Sequence, residues 1–168
     1  MLSAANGRFS GYASIFGEPD QGGDIVMPGA FAKSLSQKGK GEICLLFQHD
    51  PKEPVGNVLK IEEDQTGLKI VGQLFEQVPR ANSLIALIEG GAVSGLSIGF
   101  RTVKAAKDRH SGHRRLFQID LWEISIVTFP MMQRARIFPV SKLPEETIRS
   151  PGSPQQTIAA AISLMSNQ

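Results

Sequence analysis

Residues 94–100 read Ser-Gly-Leu-Ser-Ile-Gly-Phe, and within them Gly95-Leu96-Ser97-Ile98-Gly99 matches the pattern G-x-S-x-G. In α/β-hydrolases that pattern marks a nucleophile elbow, where a strand turns at the serine into a helix. The surroundings here run the other way. PRANSLIALIEGG (79–91), ahead of the serine, has helical spacing, and IGFRTV (98–103), behind it, has strand character. An elbow also needs an acid and then a histidine further along the chain. His110 and His113 instead share one short charged loop with Asp108, with no room for an intervening sheet. The elbow is rejected. Read as a strand, the stretch turns Leu96, Ile98 and Phe100 to one face and Gly95, Ser97 and Gly99 to the other. Glycine inside a strand often marks the close approach of another backbone. Ser97 is therefore either a nucleophile open to an extended peptide or a surface serine on a glycine-rich edge strand.

Working outward, most of the chain punctuates as β structure. RFSGYASIF (8–16) reads as a strand, EPDQGGD (18–24) is turn chemistry, and DIVMPG (24–29) gives a short strand. Phe31 and Leu35, four apart and followed by Gly39, predict a short helix. EICLLFQ (42–48) is apolar almost throughout, the pattern of a strand covered on both faces, and HDPKEP reads as a loop because two prolines break a ladder. VGNVLKIEED and TGLKIVGQLFE flank a polar turn and form a hairpin. The best helix is 79–91, with Leu84, Leu87 and Ile88 on one face and Gly90 and Gly91 at its end. RLFQIDLWEISIVTF (115–129) is a long β segment and RARIFPV (134–140) a last strand. The expectation is a mainly β fold: one closed or nearly closed barrel of about six or seven strands with helices outside. Residues 1–140 form this domain. Residues 141–168 form a Pro/Ser linker with a short helix or a disordered tail, docked or partner-binding.

The 168 residues suffice for one domain with a hydrophobic core, and 41% hydrophobic with 20% charged is ordinary globular usage. A net charge of +2 calls for no nucleic-acid or membrane partner. The N-terminal residues lack a basic start followed by an apolar run, so no signal peptide is expected, and no apolar stretch approaches the ~20 residues that span a bilayer. The single cysteine, Cys44, cannot staple the fold, which suits a reducing compartment; it reads as a core thiol rather than a nucleophile. His110 and His113, three apart on a loop without further His or Cys, make a poor zinc site and read as a solvated hairpin tip. Its basic neighbours Arg101, Lys104 and Lys107 would steer an acidic segment toward it. No metal and no cofactor is expected.

A nucleophilic serine needs a base, and the base needs an orienting group. His49 stands at the mouth of the 42–48 strand. Glu123 lies in DLWEISIVTFP, on the same strand face as Leu121, Ser125 and Val127, where an unpaired carboxylate is costly to bury. A turn histidine and an acid on a wet edge strand fit as well. Asp120 is a rival acid on the opposite face.

GYASIFGEPDQGGDIVMPGAF (11–31), LLFQHDPKEPVGNV (45–58), GLSIGF (95–100) and LWEISIVTFP (121–130) occur in this order. In these motifs the chain resembles the prohead maturation proteases of tailed bacteriophages, relatives of the herpesvirus assemblin proteases, from about Phe9 to Ile137. The resemblance implies an assemblin-like β-barrel and a serine endopeptidase. Its substrate would be the scaffold protein or the scaffold-like segment of the major capsid protein, and the enzyme itself, inside the immature prohead in the host cytoplasm. It carries the histidine of the H-D motif to His49, the serine of G-x-S-x-G-F to Ser97 and the acid of L-x-E-x-S-x-V-x-x-P to Glu123. Arg134 and Arg136 fall where the viral enzymes place an oxyanion-binding arginine, although PMMQRA departs from the family's Asn after the proline. A homodimer is implied by analogy. A non-catalytic capsid- or scaffold-binding barrel is the alternative, and a small-substrate esterase a third.

Overall fold

Among the described residues seven strands carry the architecture: β1 (Arg8–Ile15), β2 (Asp24–Val26), β3 (Cys44–Phe47), β4 (Asp50–Glu63), β5 (Gly67–Leu74), β6 (Gly95–Lys107) and β7 (Arg114–Val127). Two helices join them, α1 (Ala32–Gln37) and α2 (Pro79–Glu89). The computed structural model describes residues 7–138; the segment expected to form a linker and tail, 141–168, lies outside them. The strands form one sheet in the order β1-β5-β4-β3-β7-β2, with β6 also paired to β7. This is the expected mainly β architecture, with the expected number of strands.

β7 is the spine. One edge takes β6 in an antiparallel ladder from Gly95↔Val127 to Lys107↔Arg114. The other edge is shared by two parallel partners, β2 against Arg114–Leu116 and β3 against Glu123–Ile126. Between them the chain of α1 covers the edge. Ile119 N–H donates to Ala30 O, Leu121 N–H to Ser34 Oγ and Lys38 Nζ to Leu121 O, so these three backbone groups in the gap between β2 and β3 are satisfied. Leu45, Leu96, Leu116, Leu121, Ile124 and Ile126 are each at most 1% exposed and fill the inside of the curl.

The sheet closes through residues 135–138. Tyr12 N–H donates to Arg136 O and Phe138 N–H to Ser10 O on the β1 side. Leu96 N–H donates to Ala135 O and Ile137 N–H to Ser94 O on the β6 side. The expected last strand is thus reduced to isolated bridges, Gly11↔Ile137 and Gly95↔Arg136, that stitch the seam.

Three local expectations change. HDPKEP is not a loop: β4 starts at Asp50 and runs through Pro51 and Pro54, and only Gln48 and His49 remain as the turn. The prolines are tolerated because the β3–β4 ladder is irregular there and β5 pairs with β4 only from Gly56 onward. Cys44 is exposed rather than in the core, since strand alternation puts its neighbour Leu45 inside. In α2, Ala81 and Leu84 are buried while Leu87 is 42% exposed, so the apolar stripe is narrower than its spacing suggests.

β4 and β5 approach so closely at Gly56 that a Cβ there would overlap Gln73 O. Gly56→Ala is expected to destabilise the fold by about 1–3 kcal/mol, the usual cost of overpacking, read as a lowered urea midpoint with an unchanged slope.

Candidate active site

The face of the β6–β7 ladder turned away from the core carries the polar residues. Ser97 pairs with Ser125 across the ladder and Gly99 pairs with Glu123. The next pair is Phe100 with Leu121, so Trp122 is an extra residue on β7. A bulge of this kind shifts alternation by one residue. Leu121 therefore goes into the core at 0% exposure, while Glu123 emerges on the Ser97 face. Uninterrupted alternation, which groups Glu123 with Leu121, is corrected by this bulge. Asp120 is directed elsewhere: it pairs with Lys38 at 2.5 Å and Arg101 at 3.5 Å.

His49 arrives at this face from the β3–β4 turn. Gln48 and His49 both have positive φ, 54° and 58°, as a two-residue hairpin of the I′ kind requires. The region is uncommon for any residue but glycine and costs about 1–2 kcal/mol for each. Bonds to β7 and the residue after it hold the turn. Gln48 N–H donates to Ile126 O, Gln48 Nε2 to Thr128 Oγ1 at 2.8 Å and His49 N–H to Ser125 Oγ at 3.1 Å.

The imidazole then meets the carboxylate, with His49 Nδ1 and Glu123 Oε1 2.5 Å apart. A carboxylate accepts only, so Nδ1 carries the proton and Nε2 is left as the base. The hydrogen bond that His49 donates to Glu123 raises the His49 pKa above its ordinary 6.5. Partial burial opposes that rise, and the carboxylate's charge adds to it. Ser125 Oγ donates to the second carboxylate oxygen, Oε2, at 2.7 Å. Ser97 is 6% exposed, and its hydroxyl makes no hydrogen bond among the described residues. Such bonds commonly form only when substrate is in place.

The two glycines of the G-x-S-x-G pattern serve the protein's own packing. A Cβ on Gly99 would collide with Glu123 Oε1, and one on Gly95 would press on Val127 O and the Pro130 ring. Glu123 thus lies in the space a side chain at 99 would fill. Sequence reasoning missed this role, and it missed the hydroxyl of Ser125, although the E-x-S spacing on a strand puts both residues on one face.

The predicted arginines lie beside the start of β6 with their side chains engaged. Arg134 pairs with Glu18, and Arg136 donates from Nη1 to Ser94 Oγ at 3.1 Å and from Nε to Gln133 O at 2.9 Å. His110 is exposed and His113 part-buried in the β6–β7 turn, where Asp108 Oδ1 accepts the N–H groups of His110 and Ser111. Three of the nearby arginines are paired: Arg101 with Asp120, Arg114 with Asp24 and Arg115 with Asp108. Among the described residues no group of three or more His, Cys, Asp or Glu is arranged to hold a metal ion.

The sequence profile of the caudovirus prohead serine proteases matches residues 2–149. The chain is 38% identical over 149 residues to the prohead protease of Enterobacteria phage HK97, covering 85% of this chain and 64% of that protein. It is 29% identical over 128 residues to the prohead protease of Escherichia phage T5, covering 75% of this chain and 59% of that one. The chain thus spans about three-fifths of the length of these relatives. Among solved structures, the capsid assembly protease of bacteriophage T4 superposes with a TM-score of 0.61 at 11% identity, over 71% of this chain and 80% of that one. The Kaposi's sarcoma herpesvirus protease superposes with 0.56 at 12% identity, over 96% and 77%. At these identities the likeness is one of fold.

The His49–Glu123 bond predicts a titration. In wild type the His49 imidazole should titrate above 6.5 by NMR, and Glu123→Gln should bring that midpoint down. Because the raised pKa belongs to the folded state, this pair stabilises the protein fully below pH 6.5. Its contribution is lost as pH rises through the folded-state midpoint.

Proposed function

As the chain belongs to the caudovirus prohead serine protease family, we propose that it is a serine endopeptidase of phage capsid maturation with Ser97, His49 and Glu123 as its catalytic groups. The observation that carries this reading is the short His49–Glu123 hydrogen bond on the same sheet face as Ser97. Ser97 Oγ attacks the scissile carbonyl while His49 Nε2 takes its proton. Glu123 holds the Nδ1–H tautomer and stabilises the imidazolium that forms. The imidazolium protonates the leaving amine, and the acyl-enzyme is released by a water that His49 deprotonates in turn. The base must be neutral to act, so turnover rises with pH through the raised His49 pKa.

Oxyanion stabilisation is assigned to the 134–136 segment beside Gly95 and Leu96, with Arg136 its nearest cation to the serine strand. The substrate is the scaffold protein or the scaffold-like segment of the major capsid protein, together with the enzyme's own chain, and the reaction takes place inside the prohead.

Ser97→Ala should abolish cleavage of a co-expressed capsid precursor, read by intact mass, and abolish labelling by a fluorophosphonate, with circular dichroism unchanged. Normal processing by that variant would end the proposal. A wild type that binds capsid precursor but neither cleaves nor labels would identify a binding module instead. Arg136→Ala is expected to lower turnover about 10²–10³-fold if its segment supports the oxyanion.

A further inference from the structure

Ser125 has no part in the proton transfers just described, yet it is the most enclosed polar residue of the site. It is 0% exposed and flanked by Ile124, Ile126 and Val127, each at most 2% exposed. A hydroxyl in such surroundings is unfavourable unless both its donor and acceptor capacity are used. Both are used, and both within the candidate triad. The oxygen accepts the His49 backbone N–H at 3.1 Å, and the proton goes to Glu123 Oε2 at 2.7 Å. Glu123 Oε1 meets His49 Nδ1 at 2.5 Å. The three contacts form a closed ring that leaves His49 through its backbone and returns to it through its imidazole.

Each link restrains something the others do not. The bond to His49 N–H anchors a residue held at φ 58°, a conformation a non-glycine residue abandons when released. The bond to Oε2 fixes the rotation of the carboxylate, so that Oε1 stays on the imidazole. Its single proton is committed to Glu123, so the Ser125 hydroxyl is not set up to compete with Ser97 as nucleophile, although the two are cross-strand partners.

We propose that Ser125 is a positioning residue of this site, locking the His49 turn and the Glu123 carboxylate together through one buried hydroxyl. The inference rests on the assignment of His49 and Glu123 as base and orienting acid. Its sign is fixed by geometry: loss of the hydroxyl lets the carboxylate swing and weakens its hold on the imidazole.

The test uses the full chain. Ser125→Ala should lower kcat on the capsid precursor roughly ten- to a hundredfold with little change in KM, the range typical of lost support to a catalytic group. It should also move the NMR titration of His49, and the acidic limb of the pH–rate profile with it, toward the values of Glu123→Gln. Ser125→Thr, which keeps the hydroxyl, should restore both. Full activity and an unmoved His49 titration in Ser125→Ala would overturn the proposal. A variant that fails to fold does not stop the test, because wild type alone supplies a second reading. The His49 amide, in an exposed turn, should be protected against hydrogen exchange; rapid exchange of that amide would also overturn it. The titration and exchange measurements need no turnover. A Ser97→Ala enzyme that still cleaves would therefore sink the protease assignment while leaving these to judge Ser125.

Discussion

The arrangement depends on one extra residue in the β6–β7 ladder. Strand alternation has a period of two, and Trp122 has no partner on β6. Without that bulge, Leu121 and Glu123 would point the same way, and either a leucine would be lost from the core or a carboxylate forced into it. With it, the same strand sends Leu121 into the core and Glu123 to the opposite face. The register on the other edge then puts Cys44 and Leu46 beside Glu123 and Ser125. It also brings the end of β3 to Ile126, where the next two residues make the turn that carries His49.

That turn exchanges local strain for placement. Two left-handed non-glycine residues cost about 1–2 kcal/mol each. The three hydrogen bonds that oppose them contribute about 0.5–1.5 kcal/mol each. The two sums are of the same order, so the conformation of His49 is held largely by its attachment to the sheet. For the general base proposed above this matters: a relaxed loop would avoid the strain but sample many orientations, and effective general-base catalysis requires one.

Much of this was legible in the residues. The rejected elbow followed from the helix preceding Ser97 and the strand following it, and the strand count followed from turn punctuation. The hairpin around 64–67 is visible in its polar turn, where Asp64 Oδ1 accepts the N–H groups of Thr66 and Gly67. Other features depend on tertiary context. The prolines at 51 and 54 suggest a loop because the irregular pairing that tolerates them is set by β3, not by β4's own sequence. Cys44 looks internal because apolar runs carry no mark of which face the sheet covers. The bulge at Trp122 leaves no composition signal, and the glycines of G-x-S-x-G suggest access for a substrate when they clear space for Glu123 and Val127.

The parallel pairing of β3 with β7 has a consequence for when the site comes into being. His49 and Glu123 are 74 residues apart in the chain, and the contact between them needs β7 complete to its last turn. During synthesis the histidine emerges long before the acid, and no local hairpin unites those two, whereas Ser97 and Glu123 share the β6–β7 hairpin. The His49–Glu123 contact is therefore a late product of folding, contributed by non-local pairing that forms slowly. A chain not yet extended through β7 lacks that pairing, so the proposed base and its orienting acid meet only once the sheet is complete.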